Sequence, residues 1–275
     1  MGLFSTVVQP EPHTTGILPS QEIRRLIASG RIRSSPPPTE DQIQPASIDL
    51  RLGKTAYRVQ ASFLPGRSSP INRKIQQLKL SEVNLRKPAL LERGAVYIVP
   101  LLESLALPAD TGGKSNPKST TGRLDIFTRL ITDGGHEFEQ VEAGYSGDLY
   151  VEIVPRTFPI VVRMGTSLNQ LRFIRGNPLS TDGTLRQLAA KEKLVYEDGS
   201  GEPADAVIDR GLRISIDLQG GGHSRVVAYK ARRNAPPVDL GRVGAYDPAE
   251  YWDLVSSPTS KRVVLNPSDF YLLAS

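Results

Sequence analysis

Six polar positions between Lys118 and Glu152 could do chemistry together. Lys118, Ser119, Thr120 and Arg123 crowd two hydroxyls and two cations around Gly122. Hydroxyls, backbone N–H groups and flanking cations can hold a phosphate through charge-assisted hydrogen bonds. Glycine there lets the backbone approach a ligand closely. The same residues also suit a polar loop with capping hydroxyls and solvated cations. Glu152 lies between Val151 and Ile153. A strand glutamate with apolar neighbours is either on a wet face or partly buried. Burial disfavours the charged form, which suits a general base that later returns its proton. Glu142 stands beside the turn marked by Gly144 and Gly147, as a second carboxylate or as a solvated turn residue. No G-x-x-x-x-G-K-[ST] loop occurs, so the hydroxyl cluster is not a Walker loop.

Composition narrows the chemistry further. The chain of 275 residues contains no cysteine, which excludes disulfides, thiolate catalysis and cysteine-bound zinc. His13, His136 and His223 are far apart in sequence, so an all-histidine metal site is not expected. The net charge is +5 with a pI near 9.4, which favours anionic ligands. The cations are scattered among acids rather than run together. That makes a nucleoside triphosphate at least as good an expectation as a nucleic acid. No apolar run approaches the ~18–20 residues of a membrane helix, and no secretory signal precedes the first helix. A cytoplasmic location is the expectation, with no membrane partner.

The elements that must position these residues read mostly as short strands. The 22 prolines and 24 glycines are spread along the chain, as in a protein of strands joined by turns. Ser20 to Gly30 reads as a short helix, with Ile23, Leu26 and Ile27 on one face. Ile48, Leu50 and Leu52 alternate with Ser47, Asp49 and Arg51, the period of a half-buried strand. Asp49 is expected to be structural and outside the site. Residues 64–88 read as a polar, turn-rich excursion. Residues 90–102 return to strand character. Leu124 to Ile131 is strand or short helix, with Arg129 inside it. In 148–154, Leu149, Val151 and Ile153 face one way and Tyr150, Glu152 and Val154 the other. Two more strands follow at 160–162 and 168–174. Together they predict an antiparallel barrel or sandwich over residues 1–177.

Residues 178–275 read as an incomplete second copy of this unit. Leu185 to Val195 aligns with the Ile23 helix, Ile214 to Leu218 with the Ala46–Leu50 strand, and Asn266 to Leu273 with Glu92–Val99. Ordered self-similarity of this kind marks a duplication. Trp252 reads as a core anchor, and Tyr246-Asp247-Pro248 as a helix start.

Four stretches in order resemble the dCTP deaminase branch of the trimeric dUTPase superfamily. They are I-Q-P-A-S-I-D-L-R-L-G (43–53), L-E-S-L-A-L-P-A-D (102–110), K-S-T-T-G-R-L (118–124) and A-G-Y-S-G-D-L-Y-V-E (143–152), with N-Q-L-R-F (169–173) behind. The tail resembles the second module of longer, duplicated members. The resemblance implies a mainly β fold: a distorted jelly-roll-like, dUTPase-type β-barrel with short flanking helices, followed by a partial second copy. It implies zinc-independent hydrolysis of dCTP to dUTP and ammonia. Glu152 falls on the catalytic glutamate that activates water for attack at C4 of cytosine. Ser119 falls on the hydroxyl that helps fix that water and the phosphates, and Arg123 on the arginine that orients the site. Lys118 falls on a phosphate contact, with Thr120 beside it. Glu142 replaces an aspartate set against the deoxyribose, and Gln170 sits where the nucleotide is touched. The resemblance also implies Mg²⁺ carried by the triphosphate, no metal site on the protein, and a homo-oligomer. That assembly is a trimer with sites between subunits, or a pseudo-symmetric one using the second module.

The bottom-up reading agrees at one point. Zinc deaminases need H-x-E and P-C-x-x-C, and a chain without cysteine must make its nucleophile with a carboxylate base. Two departures stand out. The gap between Arg123 and Glu152 is longer than in short relatives, and no lid for the triphosphate is recognisable after Phe173. A dUTP diphosphatase, using Glu142 to activate water at the α-phosphate, is an alternative on the same scaffold. A non-catalytic nucleotide-binding or assembly module is another.

Overall fold

The structure is a computed structural model that describes residues 15–67, 69–178, 181–196, 201–218, 220, 225–256 and 262–274. The elements that position the site are α1 (Ser20–Ala28), β1 (Ser47–Arg51), β2 (Thr55–Val59), α2 (Ile71–Leu78), β3 (Lys79–Asn84), β4 (Val96–Ala106), β5 (Thr111–Pro117), α3 (Ser119–Arg123), β6 (Ile126–Thr132), β7 (Ser146–Pro155) and β8 (Ser167–Arg175). The tail adds α4 (Asp182–Lys191), β9 (Val226–Ala231), β10 (Trp252–Ser256) and β11 (Tyr271–Leu273).

The first sheet runs Gln140–Val141, β5, β8, β1, Ile43–Gln44; the second runs β6, β7, β4, β2, β3. Alternation places Ile48 and Leu50 of the first sheet against Val99, Val151 and Ile153 of the second in one shared core. The two sheets meet at an isolated Leu52–Leu101 bridge. Among the described residues they do not close into a ring, so the mainly β expectation holds as a two-sheet sandwich.

Three expectations change with the fold. Strand β1 is buried on both faces, not one. Its polar face is covered because Asp49 meets Lys118 and Arg51 meets Glu103. The 124–131 stretch resolves to strand from Ile126 onward, since Thr128 and Leu130 pair with Ile153 and Val151 across β7. The polar excursion at 64–88 contains a helix, α2, and a strand, β3. Ile71, Ile75 and Leu78 recur at helical spacing among Asn, Arg, Lys and Gln. That stripe packs on Ile98, Ile131 and Tyr150, the outer face of the second sheet. Asp133 closes the helix start by accepting from the Ile71 N–H at 2.7 Å.

The tail is built differently from the front. Helix α4 forms where a helix is expected, but it buries none of its residues. Ile214 to Leu218 forms no strand, and Ile214 and Ile216 are exposed. The matching residues of β1 gain their order from two strand neighbours that this segment lacks. Strands β10, β9 and β11 make a separate sheet. It docks through Phe158, which meets Trp252 and Tyr251 edge-on at 5.4 and 5.7 Å. Trp252 is thus the expected anchor. Asp247 caps the short Pro248–Glu250 turn by accepting from the Ala249 N–H.

Acid should loosen this sheet first. Lys230, hydrogen-bonded to Asp269, and then Arg233 hold the Asp269 carboxyl down to about 2. The unfolded value is about 3.9. A group with a depressed folded pKa contributes its full stabilisation above the unfolded value and loses it as pH falls through the folded one. The loss therefore spans about pH 4 to about pH 2. Trp252 is the chain's single tryptophan, so its fluorescence reads this sheet directly. In Asp269→Asn the acid-dependent step in that window should vanish.

Candidate active site

Helix α3 is fastened to β8 at its base. The Lys118 N–H and the Thr121 hydroxyl both donate to the Leu168 carbonyl, at 2.8 Å each. This leaves Ser119, Thr120 and Arg123 exposed. The Lys118 ammonium pairs with the Asp49 carboxylate, which is almost fully buried. A cavity of about 510 Å³ opens here, walled by Ser47, Asp49, Lys118, Ser119, Gln170 and Arg172. Gln170 is oriented by the Ser47 hydroxyl, which donates to its Oε1 at 2.9 Å. A second cavity, about 610 Å³, shares Asp49 and Lys118 and adds Thr120. Asp49, expected to lie outside the site, is a wall of both.

Glu152 is held elsewhere. On β7 it stands directly across from Arg129 of β6 and Ile98 of β4. Its side chain is 1% exposed. Arg129 donates through Nε at 3.0 Å and Nη2 at 2.6 Å to the same oxygen, Oε1. The other oxygen, Oε2, is buried with no hydrogen-bond partner. Arg129 is itself immobilised. Its guanidinium stacks 3.5 Å from the Phe138 ring centre and donates to the Ser62 hydroxyl at 2.6 Å. A buried carboxylate kept in one orientation, with one oxygen spoken for and the other free, can accept a proton from a water placed against it.

Glu142 occupies a third place. It lines a cavity of about 340 Å³ with Thr132, Gly135 and His136. The turn between Glu142 and β7 needs its glycines. Gly144 has φ +77°, and a Cβ on Gly147 would come within 2.8 Å of the Tyr145 hydroxyl. Burial pushes that Tyr145 hydroxyl up to about 12. It stays protonated at neutral pH and donates to the Asp148 carbonyl at 2.6 Å.

One chain therefore gathers Lys118, Ser119 and Gln170 around one cavity, with Thr120 in the cavity beside it. Neither of these two cavities is lined by Glu152 or Glu142. Ser119 stands at the end of a first-sheet strand, Glu152 in the middle of a second-sheet strand. Arg129, which grips Glu152, is a site candidate that the sequence reading left unassigned. Its signal was an arginine inside one apolar strand run and a glutamate inside another.

Comparison with known proteins decides the family. The 2'-deoxycytidine 5'-triphosphate deaminase N-terminal domain matches residues 14–177. The chain belongs to the dCTP deaminase family. The C-terminal domain of the same family matches residues 181–275. A dUMP-forming dCTP deaminase of Parafrankia sp. is 33% identical over 163 residues, 58% of this chain and 76% of that protein. One from Nocardia farcinica is 31% identical over 160 residues, with the same coverage. The crystal structure of the dCTP deaminase from Agrobacterium tumefaciens superposes with a TM-score of 0.88 at 44% identity. It covers 95% of this chain and 76% of that one. The likeness to this family member thus takes in the tail as well as the front. No helix among the described residues is long and apolar enough to cross a membrane.

Proposed function

We propose that this protein hydrolyses dCTP to dUTP and ammonia in the cytoplasm, feeding the dUTP and dTTP supply. One observation carries the reading: Glu152 is buried, pinned through Oε1 by Arg129, and has Oε2 free. Water adds to C4 of the cytosine ring while one of its protons passes to Oε2. The proton then goes to the departing amino group. N3 takes up the second water proton, the exocyclic C4–N bond breaks, ammonia leaves, and C4 becomes a carbonyl. Arg129 is the positioning residue that keeps Oε2, and not Oε1, as the base.

Ser119 and Arg123 fix the water and orient the ring, while Lys118, Thr120 and Gln170 hold the phosphates. Glu142 faces the deoxyribose. These groups and Glu152 occupy separate places in one chain, so the complete site joins Ser119 and Arg123 of one copy to Glu152 of another. A homotrimer, or an assembly using the second module, would bring them together. Glu152 is closed off in the single chain, and the ring reaches it by displacing the Arg129–Ser62 bridge. Mg²⁺ would bind oxygens of the triphosphate, since no three His, Asp or Glu side chains cluster among the described residues. Zinc is not used, in keeping with a chain that lacks cysteine.

A second reading has one support, the dUMP-forming relatives. In it, deamination is followed by hydrolysis at the α-phosphate, with Glu142 as the second base. One incubation with dCTP and Mg²⁺ separates the readings. Ammonia with dUTP supports the first, and ammonia with dUMP and pyrophosphate the second. Pyrophosphate from dUTP without ammonia from dCTP marks a dUTP diphosphatase, and binding without turnover a non-catalytic module.

A further inference from the structure

The outer face of the first sheet breaks a rule of strand pairing. Lys114 on β5 and Arg172 on β8 stand directly opposite each other. Both are exposed, and among the described residues neither makes an ion pair. Like charges directly across an antiparallel pair repel and destabilise the sheet. Such a departure from local consistency is expected where function needs it.

Position says what the function is. Side chains two apart on a strand share a face. Arg172 therefore lies on the same side as Gln170, and Lys114 on the same side as Asn116, which pairs with Gln170. Arg172 walls the 510 Å³ cavity that also exposes Ser119 and Gln170. Lys118, the other cation of that wall, is already engaged by Asp49. The uncommitted positive charge at this mouth thus comes from Arg172, with Lys114 beside it. On the next strand out Gln140 stands across from Lys114, and the adjacent Glu139, with one buried oxygen, feels the Lys114 charge without forming a salt bridge to it among the described residues.

We propose that Lys114 and Arg172 form a polyphosphate clamp that holds the outer phosphates of the nucleotide. The clamp rests on the deaminase reading for its substrate and deepens it: it selects a triphosphate over a monophosphate. It also supplies a contact where no closing lid is recognisable after Phe173. The bidentate guanidinium of Arg172 can grip two oxygens of one phosphate, and Lys114 adds a point charge to its neighbour.

The test uses Arg172→Gln, Lys114→Gln and the wild type as full chains. Three quantities are read: KM for dCTP from ammonia release, tripolyphosphate affinity by calorimetry, and dCMP affinity by the same method. Each substitution should raise KM for dCTP and weaken tripolyphosphate about tenfold or more, the size of one lost charge-assisted hydrogen bond. The dCMP affinity should hold, and kcat should change less than KM. Without anion, both variants should melt no lower than the wild type, because the repulsion is gone. Unchanged dCTP and tripolyphosphate constants would overturn the clamp, as would an equal loss for dCMP or a fall in melting temperature. The two readings fail separately. Wild type without ammonia release, but with tripolyphosphate binding lost in the variants, defeats the deaminase and leaves the clamp. Ammonia release with unaltered constants does the reverse.

Discussion

Glu152→Gln should leave a folded protein that binds dCTP and releases ammonia about 10²–10⁴-fold more slowly, the usual worth of general-base help. Glutamine has nearly the shape of glutamate and still offers Arg129 an amide oxygen to replace the one it grips at 2.6 and 3.0 Å. What it lacks is a basic oxygen at the position of Oε2. The loss should therefore fall on kcat and leave dCTP affinity in place. A melting curve on the same sample separates chemistry from folding, because losing the charge leaves the buried side of Arg129 less well compensated. Turnover close to wild type in the folded variant would remove Glu152 from the mechanism. Arg129→Lys serves as the companion: it keeps the charge, loses the two-nitrogen grip, and should fall between wild type and Glu152→Gln.

The largest effect on stability should come from Glu103→Ala. Glu103 is buried at the centre of a network with three donors. The Arg51 Nε donates to its Oε1 at 2.7 Å, the Arg51 backbone N–H to its Oε2 at 2.8 Å, and Gln42 Nε2 to Oε1 at 3.2 Å. The far end of Arg51 donates to the Ser34 hydroxyl and the Pro36 carbonyl, both at 2.7 Å. Removing Glu103 strands the Arg51 charge, whose side chain is only 9% exposed. Breaking one partner of a buried ion pair costs about 3–5 kcal/mol, a large part of the stability of an ordinary domain. Denaturant unfolding should show the unfolding free energy falling by that amount, with a lower midpoint. The surface pair Arg24–Glu40 is the control: Glu40→Ala should shift unfolding far less than Glu103→Ala, as exposed pairs do. Equal losses from the two substitutions would mean that burial of the Arg51 network carries no special weight.

Much of the body was legible in advance where side chains alternate or recur. Period-two patterns located the strands around Ile48, Val151 and Leu171, and the Ile23–Leu26 stripe located the first helix. These signals are local, since a half-buried element writes its own face into its own residues. Helix α2 was readable by the same logic. The i, i+4, i+7 stripe of Ile71, Ile75 and Leu78 is a helix signal, hidden among prolines and polar residues. The SIDL repeat shows the opposite limit. Ser47 to Leu50 and Ser215 to Leu218 share four residues. One is a buried strand between two neighbours, and the other forms no strand within the chain.

By itself, the amino-acid order settled the mainly β character, the exclusion of cysteine chemistry and the membership of the family. It also singled out an acid flanked by apolar residues, because each of these depends on residue type and near spacing. Only the tertiary structure decided that Arg129 grips that acid, that Asp49 neutralises Lys118, and that Lys114 meets Arg172. Those pairs are 23, 69 and 58 residues apart in sequence. Register between strands far apart in the chain chose two of these partners, and the turn from β5 into α3 brought Lys118 to Asp49.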